Sequence, residues 1–449
     1  MGPDPAPEPH SMVKTHVEES LGANPGDAAL NPADQVAMGV HPEIPTGFLG
    51  SSRGRAFRAL GHRPYRLLFA AFLVNQTGFW ISHLAMQGLM ARLSGNEPLW
   101  LGLLFFALFI PAFAIAPLAG LAADRFDRQR MMLASYGVVA LLSSLLAVLV
   151  GSDAITAHGL LAISLGLGTS FAFAGPASFA LAANAVPASD MASAVSLQSA
   201  ANNLTRVVGP MAAAPILAAG SFEWAFAAFV VSALIAAALI GAMRVAPYEA
   251  EAEEGGILAR LSAGFEHARE RRPALPALAV VAMLSLFGVS HSALLPVYAE
   301  VVLGDIEAFA WIVVATGSGA MLGALSIGYR EARPSMRGAS LWMLVYSVAM
   351  GVFALTSDLT VALVSQFAIG WSYFAVMTSL QTLVQTLVDE SRRGRVMSLF
   401  QVAWAGLVPW GGLLMGATAD ALGVSTTLAL GAAICAVYGL GVLVWALRG

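Results

Sequence analysis

The sequence predicts an all-α membrane protein with twelve transmembrane helices in two pseudo-symmetric six-helix bundles, and with both termini in the cytoplasm. Three observations support this prediction: an apolar composition, an asymmetric placement of arginine, and an internal repeat. Of 449 residues, 58% are hydrophobic and 11% are charged, whereas a soluble domain has about 25% charged residues. We therefore expect most of the chain to be surrounded by lipid.

Composition also excludes several classes of protein. The net charge of −4 gives no sign of nucleic-acid binding, and the lone Cys435 excludes an internal disulfide. We find no metal-ligand cluster, phosphate-binding loop or nucleophile motif, so we expect no enzyme activity, metal or cofactor. Only Lys14 among the 23 basic residues is a lysine, which favours a GC-rich bacterial genome and a bacterial inner membrane.

The N-terminal segment 1–60 is predicted to be a disordered cytoplasmic tail. It lacks the basic and apolar regions of a signal peptide. It is rich in proline: Pro3, Pro5, Pro7, Pro9, Pro25, Pro32, Pro42 and Pro45.

Twelve apolar stretches follow, each close to the roughly 20 residues that a helix needs to cross the hydrocarbon core. The predicted spans are about 67–91, 98–122, 131–151, 158–183, 193–219, 222–243, 274–302, 308–329, 338–356, 359–387, 395–418 and 421–447.

Charge placement supports the count of twelve. With the N-terminus inside, the outer loops carry acidic residues and a single arginine, Arg92, whereas the inner loops carry nearly all the others. This asymmetry is the positive-inside pattern and puts both termini in the cytoplasm. The outer acids are Glu97, Asp153, Glu223, Glu300, Asp305, Glu307, Asp358 and Asp420.

The chain repeats itself at about half its length. Phe79, Ser82, His83 and Ala85 return 208 residues later as Phe287, Ser290, His291 and Ala293. Gly209 has a counterpart 202 residues later in Gly411. A half-length repeat in a membrane protein predicts two related bundles, here 61–245 and 273–449, around a shared central site. The linker 246–272 is predicted to be an amphipathic helix on the inner leaflet, with a plain solvated segment as the alternative.

One loop carries a specific motif. Gly120-Leu-Ala-Ala-Asp124-Arg125-Phe-Asp-Arg128-Gln-Arg130 lies between spans two and three. It closely resembles the G-x-x-x-D-R-x-x-R-x-R signature of the major facilitator superfamily. The resemblance covers about residues 60–445 and implies a transporter that works by alternating access.

The motif is interpreted as an inner gate. Gly120 permits close helix contact, and Asp124 would be attracted by the N-terminus of span eleven. Arg125, Arg128 and Arg130 would pair with acids on the other half. The alternative is that these arginines only set topology and bind anionic headgroups.

Longer stretches resemble the superfamily branch that contains the enterobactin exporter and macrolide efflux pumps. They are Phe173–Pro176, Asn203–Pro210, Ala293–Ala299 and Gly394–Phe400. Gly209-Pro210 is similar to an antiporter motif in span five and is a candidate hinge, with ordinary helix packing as the alternative. Exporters of this branch often carry an acid in span one near the position of Phe79, and this chain has none there.

Three ionisable residues lie deep in the predicted spans: His83, Arg206 and His291. An arginine at this depth is expected to face the bundle interior, where it either anchors a substrate or binds helix carbonyls. The histidines are candidates for proton coupling, because an ordinary histidine pKa of about 6.5 lies near physiological pH. The alternative is two neutral, hydrogen-bonded interior histidines. Further candidates for substrate binding are Asn75, Gln76, Trp80, Gln87, Asn202, Trp371, Gln381, Gln385, Gln401 and Trp404.

The predicted function is secondary-active, proton-coupled export of a small amphipathic compound such as a drug, siderophore or metabolite. The expected partners are that small molecule, protons and membrane lipids, and the chain is expected to be a monomer. A lipid or lysolipid flippase on the same fold is one alternative. A non-transporting scaffold that acts through the N-terminal tail is another.

Overall fold

The computed structural model describes residues 57–115, 118–119, 122, 125–219, 221–244, 265–269, 273–329, 334–388 and 393–448. Residues 1–56 of the predicted tail 1–60, and most of the linker 246–272, lie outside these residues. Arg58–Gly61, at the end of the predicted tail, form a short 3₁₀ helix in which Ala59 is buried. The described part of the chain is helical. Its long helices are α1 (Arg63–Ser94), α2 (Pro98–Ala114), α3 (Arg128–Gly151), α4 (Ala157–Ala185), α5 (Met191–Ala218), α6 (Phe222–Gly241), α7 (Ala274–Val302), α8 (Ala308–Tyr329), α9 (Met336–Leu355), α10 (Leu359–Leu387), α11 (393–422) and α12 (Val424–Arg448).

Within the described residues, nine helices are long and apolar enough to cross a membrane. Helix α2 and the segment Ala308–Gly323 of α8 are apolar but shorter. Helix α5 has 28 residues and is not among the nine, since it carries Asn202, Asn203 and Arg206. The protein is thus an all-helical multi-pass membrane protein, and the count of twelve spans stays a prediction.

Local sequence sets several helix ends. The Asp127 carboxylate accepts a hydrogen bond from the backbone N–H of Arg130 at 2.7 Å and caps α3. The hydroxyl of Thr156 caps α4 in the same way, at 3.1 Å from the Gly159 nitrogen. Gly95 ends α1 with φ = +63°, a left-handed conformation that glycine adopts without a steric penalty.

Helix packing repeats along the chain. Helix α1 packs on α5 and α6, as α7 packs on α11 and α12. Helix α2 packs on α4, and α3 on α4 and α6, as α8 packs on α10, and α9 on α10 and α12. The main contacts within the first six helices therefore all have counterparts within the last six.

Two close contacts join the first six helices to the last six: α2 with α11, and α5 with α8. A Cβ atom on Gly102 of α2 would lie 2.7 Å from the carbonyl oxygen of Gly412 and 3.1 Å from the Cα of Gly416. A Cβ atom on Gly317 of α8 would lie 2.7 Å from the Arg206 carbonyl oxygen. Small residues let these backbones meet, as is usual where helices associate in membranes.

Candidate functional site

A cavity of about 480 Å³ lies between the helices and is lined from α1 to α5 and from α7 to α11. Helices α6 and α12 contribute no lining residue. A cavity of this size suits a small organic molecule, since ligand pockets span roughly 300–1,000 Å³. Its described lining is mostly apolar and holds three residues that can carry a positive charge: His83, Arg206 and His291.

Helix α1 supplies a polar stripe to the cavity. Gln76, Trp80, His83 and Gln87 recur at intervals of three or four residues and all line it. This spacing puts them on one helix face. Asn75 also lines the cavity and is only 7% exposed. The predicted polar face of this span therefore points to the central space.

His83 is buried against Gln87. The Gln87 side-chain amide donates a hydrogen bond to His83 Nε2 at 2.7 Å, which places the proton of the neutral ring on Nδ1. Among the residues that the structure describes, neither that Nδ1 nor Gln87 Oε1 has a hydrogen-bond partner. Four aromatic rings have centroids within 5.5 to 5.9 Å of the imidazole. They are Phe79, Trp80, Phe105 and Phe109.

His291 lies in an irregular part of α7, where a π turn (Leu284–Gly288) is followed by a 3₁₀ segment (Val289–Leu294). Its Nδ1–H donates to the Gly288 carbonyl oxygen at 2.9 Å. Gln366 of α10 places its amide oxygen 3.4 Å and its nitrogen 3.3 Å from Nε2. The Thr316 hydroxyl donates to that amide oxygen at 2.9 Å. Either protonation state of the ring thus has a partner in Gln366.

The two histidines of the repeat differ in their surroundings, although both line the cavity. His291 has hydrogen-bond partners on three helices. They are the Gly288 carbonyl of α7, the Gln366 amide of α10 and the Tyr346 hydroxyl of α9, which lies 3.4 Å from Nδ1. His83 is held by one glutamine and by aromatic rings. Each histidine nevertheless has a glutamine side chain at Nε2, Gln87 or Gln366, whose amide can donate or accept.

Arg206 lies between two aromatic rings on opposite halves of the chain. Its guanidinium carbon is 5.5 Å from the Trp80 ring centroid and 5.6 Å from that of Phe374. Its buried Nε has no hydrogen-bond partner within the described part of the chain. Next to Phe374, the Tyr373 hydroxyl accepts a hydrogen bond from Trp404 Nε1 at 2.6 Å. Arg206 is thus oriented by aromatic rings rather than by an acid.

The remaining predicted binding residues divide into two groups. Trp404 lines the cavity, and Asn202 reaches it indirectly, accepting a hydrogen bond from Gln76 at 3.4 Å. The other four do not line it. Trp371 packs its backbone against Gly319 and Gly323 of α8, Gln385 is partly buried elsewhere, and Gln381 and Gln401 are exposed.

The candidate hinge and gate are placed only in part. Helix α5 continues through Pro210, and a Cβ atom on Gly209 would collide with Trp80 of α1. Gly120 and Asp124 lie outside the described residues. Arg125 and Arg130 are exposed, and Arg128 donates a hydrogen bond to the Asn184 side chain of α4 at 3.4 Å.

Sequence reasoning missed several residues around the two histidines. Thr316 and Tyr346 line the cavity near His291, and Phe105 and Phe109 line it near His83. Gln366 contacts His291 without lining the cavity itself. Gln366 had a usable signal, since it is an amide in the middle of an apolar span.

A profile of transmembrane secretion effectors matches residues 55–448. The chain belongs to this family of the major facilitator superfamily. Members of this superfamily are transporters and not enzymes. Among curated relatives, an uncharacterised major-facilitator-type transporter of Bacillus subtilis is 25% identical over 75% of this chain and 82% of its own length. The multidrug efflux pump Tap of Mycolicibacterium fortuitum is 26% identical over 81% of this chain and 91% of its own.

Solved structures give the same fold. A variant of the nucleoside transporter NupG superposes with a TM-score of 0.69 at 14% identity. The match covers 85% of this chain and 99% of the NupG chain. At this identity the likeness shows the fold alone. The fold expected from the loop motif, a major facilitator transporter, is confirmed.

Proposed function

We propose that this protein is a proton-coupled exporter of a small amphipathic compound, working by alternating access in a bacterial inner membrane. The observation that carries the proposal is the cavity between the helices, with both repeated histidines in its wall. Asp and Glu are absent from its described lining, so the histidines are the described lining residues whose ordinary pKa lies nearest neutral pH.

The recurrent helix pairs support two bundles, 61–245 and 273–449, joined by the linker 246–272. The arginine pattern supports twelve spans and cytoplasmic termini. In this arrangement the α2–α11 and α5–α8 contacts lie between the bundles. Asp124 with Arg125, Arg128 and Arg130 would hold the inner gate, and Gly209-Pro210 remains the proposed hinge.

The direction of transport rests on the relatives. The pump Tap is named for multidrug efflux and shares most of its length with this chain. Tap's name also favours transport over the scaffold hypothesis, and export over import.

The test is transport by the full-length chain in proteoliposomes with an imposed pH gradient. Substrates are first found by the thermal stabilisation that binding produces, in a screen over siderophores, macrolides, fatty acids and lysolipids. We expect uphill transport, in exchange for protons, of a compound that raised the unfolding temperature. Accumulation should be lost when a protonophore collapses the pH gradient. Movement of lysolipid that ignores the gradient would instead indicate the flippase and contradict the proposal.

A further inference from the structure

We propose that the cavity binds a lipophilic organic anion, whose carboxylate or sulfonate is held by Arg206 together with Tyr373 and Trp80. That the anion is transported rests on the proposed function, whereas its binding is argued from the residues of the cavity alone. It names the substrate class that the cavity selects.

The charge of the cavity requires an anion. Arg206 is the permanently charged residue among the described lining residues, and no described carboxylate lines the cavity beside it. His62 and Asp190 form an ion pair among the described residues, but it lies at the starts of α1 and α5, and neither residue lines the cavity. A buried guanidinium without a counterion is costly, and a bound anion removes that cost.

The aromatic contacts leave the guanidinium N–H groups unused. Trp80 and Phe374 lie at 5.5 and 5.6 Å from its carbon, so aromatic rings stabilise the cation without using its N–H groups. Nε is buried and has no hydrogen-bond partner among the described residues. A planar guanidinium in this state is suited to a two-pronged contact with a carboxylate or sulfonate.

Two further lining residues carry a donor that lacks an acceptor among the described residues. The Tyr373 hydroxyl already accepts from Trp404 Nε1 at 2.6 Å, so its own hydrogen remains available to donate. The Trp80 Nε1–H is buried and unpaired in the part of the chain that the structure describes. Helices α1, α5 and α10 therefore each present a donor, and these donors come from both halves of the chain.

The remaining lining residues favour a ligand that is apolar apart from its charged group. The described lining is rich in phenylalanine and aliphatic side chains, which favour flat or branched hydrocarbon over sugars. The main apolar contributors are Phe72, Phe79, Phe109, Phe171, Val313 and Ile369. A cationic drug would meet Arg206 with no carboxylate among the described lining residues to balance it.

The test uses probes that share one apolar body: naphthaleneacetate, its neutral amide and the corresponding amine, with longer arylalkyl members of each class. Binding to the purified full-length chain is measured directly. We expect the carboxylates to bind about 10-fold or more tightly than the matched amides, and the amines most weakly. Arg206→Gln should bring the carboxylate-to-amide ratio close to one, and Arg206→Lys should keep part of it because the charge remains.

The matched control is Arg92→Gln, which removes an exposed arginine at the end of α1 outside the cavity lining. It should keep the preference for carboxylates. The proposal is overturned if the amines bind as tightly as the carboxylates, if no carboxylate binds, or if Arg206→Gln keeps the ratio. Since binding is measured at equilibrium, selective binding without gradient-driven flux would contradict the proposed function alone. Gradient-driven flux of cations would contradict this inference alone.

Discussion

Replacing both cavity histidines, in the double variant His83→Gln/His291→Gln, is expected to abolish uphill export driven by a pH gradient. A gradient of one pH unit supplies about 1.4 kcal/mol per proton, or about a 10-fold accumulation ratio, when coupling is complete. Glutamine can keep one hydrogen bond at each site but cannot carry a proton. We therefore expect the accumulation ratio to fall to about one, while downhill exchange of substrate continues.

His158→Gln is the matched control, because His158 is exposed at the start of α4 and lies outside the cavity lining. It should accumulate substrate as the unchanged protein does. The single variants separate the two sites. His291 has hydrogen-bond partners at both ring nitrogens, whereas His83 Nδ1 has none among the described residues, so we expect the larger loss from His291→Gln. Full accumulation by the double variant would remove the histidines from the mechanism.

A second large effect is expected from Gly102→Val at the contact between α2 and α11. The added carbon would lie 2.7 Å from the Gly412 carbonyl oxygen, so the two backbones would have to part. Overpacking of this kind costs roughly 1–3 kcal/mol. Because α2 and α11 belong to opposite halves, alternating access depends on this contact. We expect transport to fall about 10-fold or more, with a lower unfolding temperature.

Gly137→Val controls for the substitution itself. Gly137 lies within α3, and a Cβ atom there would meet nothing within 4 Å. Both variants carry the same helix-propensity change, so a difference between them reports the α2–α11 contact. Equal transport by the two variants would show that close approach of these helices does not matter.

Much of the helical pattern could be predicted from the sequence, because a run of apolar residues has few stable structures in lipid other than a helix. Interruptions within a predicted span were harder to predict. A span is predicted over 98–122; helix α2 extends from Pro98 to Ala114, and residues 118, 119 and 122 are again helical within the predicted range. Pro111, which lacks a backbone donor, lies one turn before Ile115, where the regular helix is interrupted. Periodicity alone does not locate such an interruption.

The cavity was predictable where polar residues recur on one helix face, as along α1. It was not predictable where the deciding fact is which helix packs opposite. Gln366 and Tyr346 reach His291 from α10 and α9, and one sequence does not reveal that pairing. In the sequence, Phe105 cannot be distinguished from a lipid-facing phenylalanine, yet its ring centroid lies 5.8 Å from that of His83. Conversely, Gln381 and Gln401 were predicted as ligands because they are polar, and both are exposed.

The central claim, that substrate export is coupled to proton entry through this cavity, is tested most directly by proton movement itself. A pH-sensitive dye is enclosed in proteoliposomes without an initial pH gradient, and an outward substrate gradient is imposed. We expect the protein to exchange outgoing substrate for incoming protons, so that the interior becomes acidic, and we expect no acidification with the double histidine variant. Substrate efflux without acidification, at the same rate in both proteins, would contradict it.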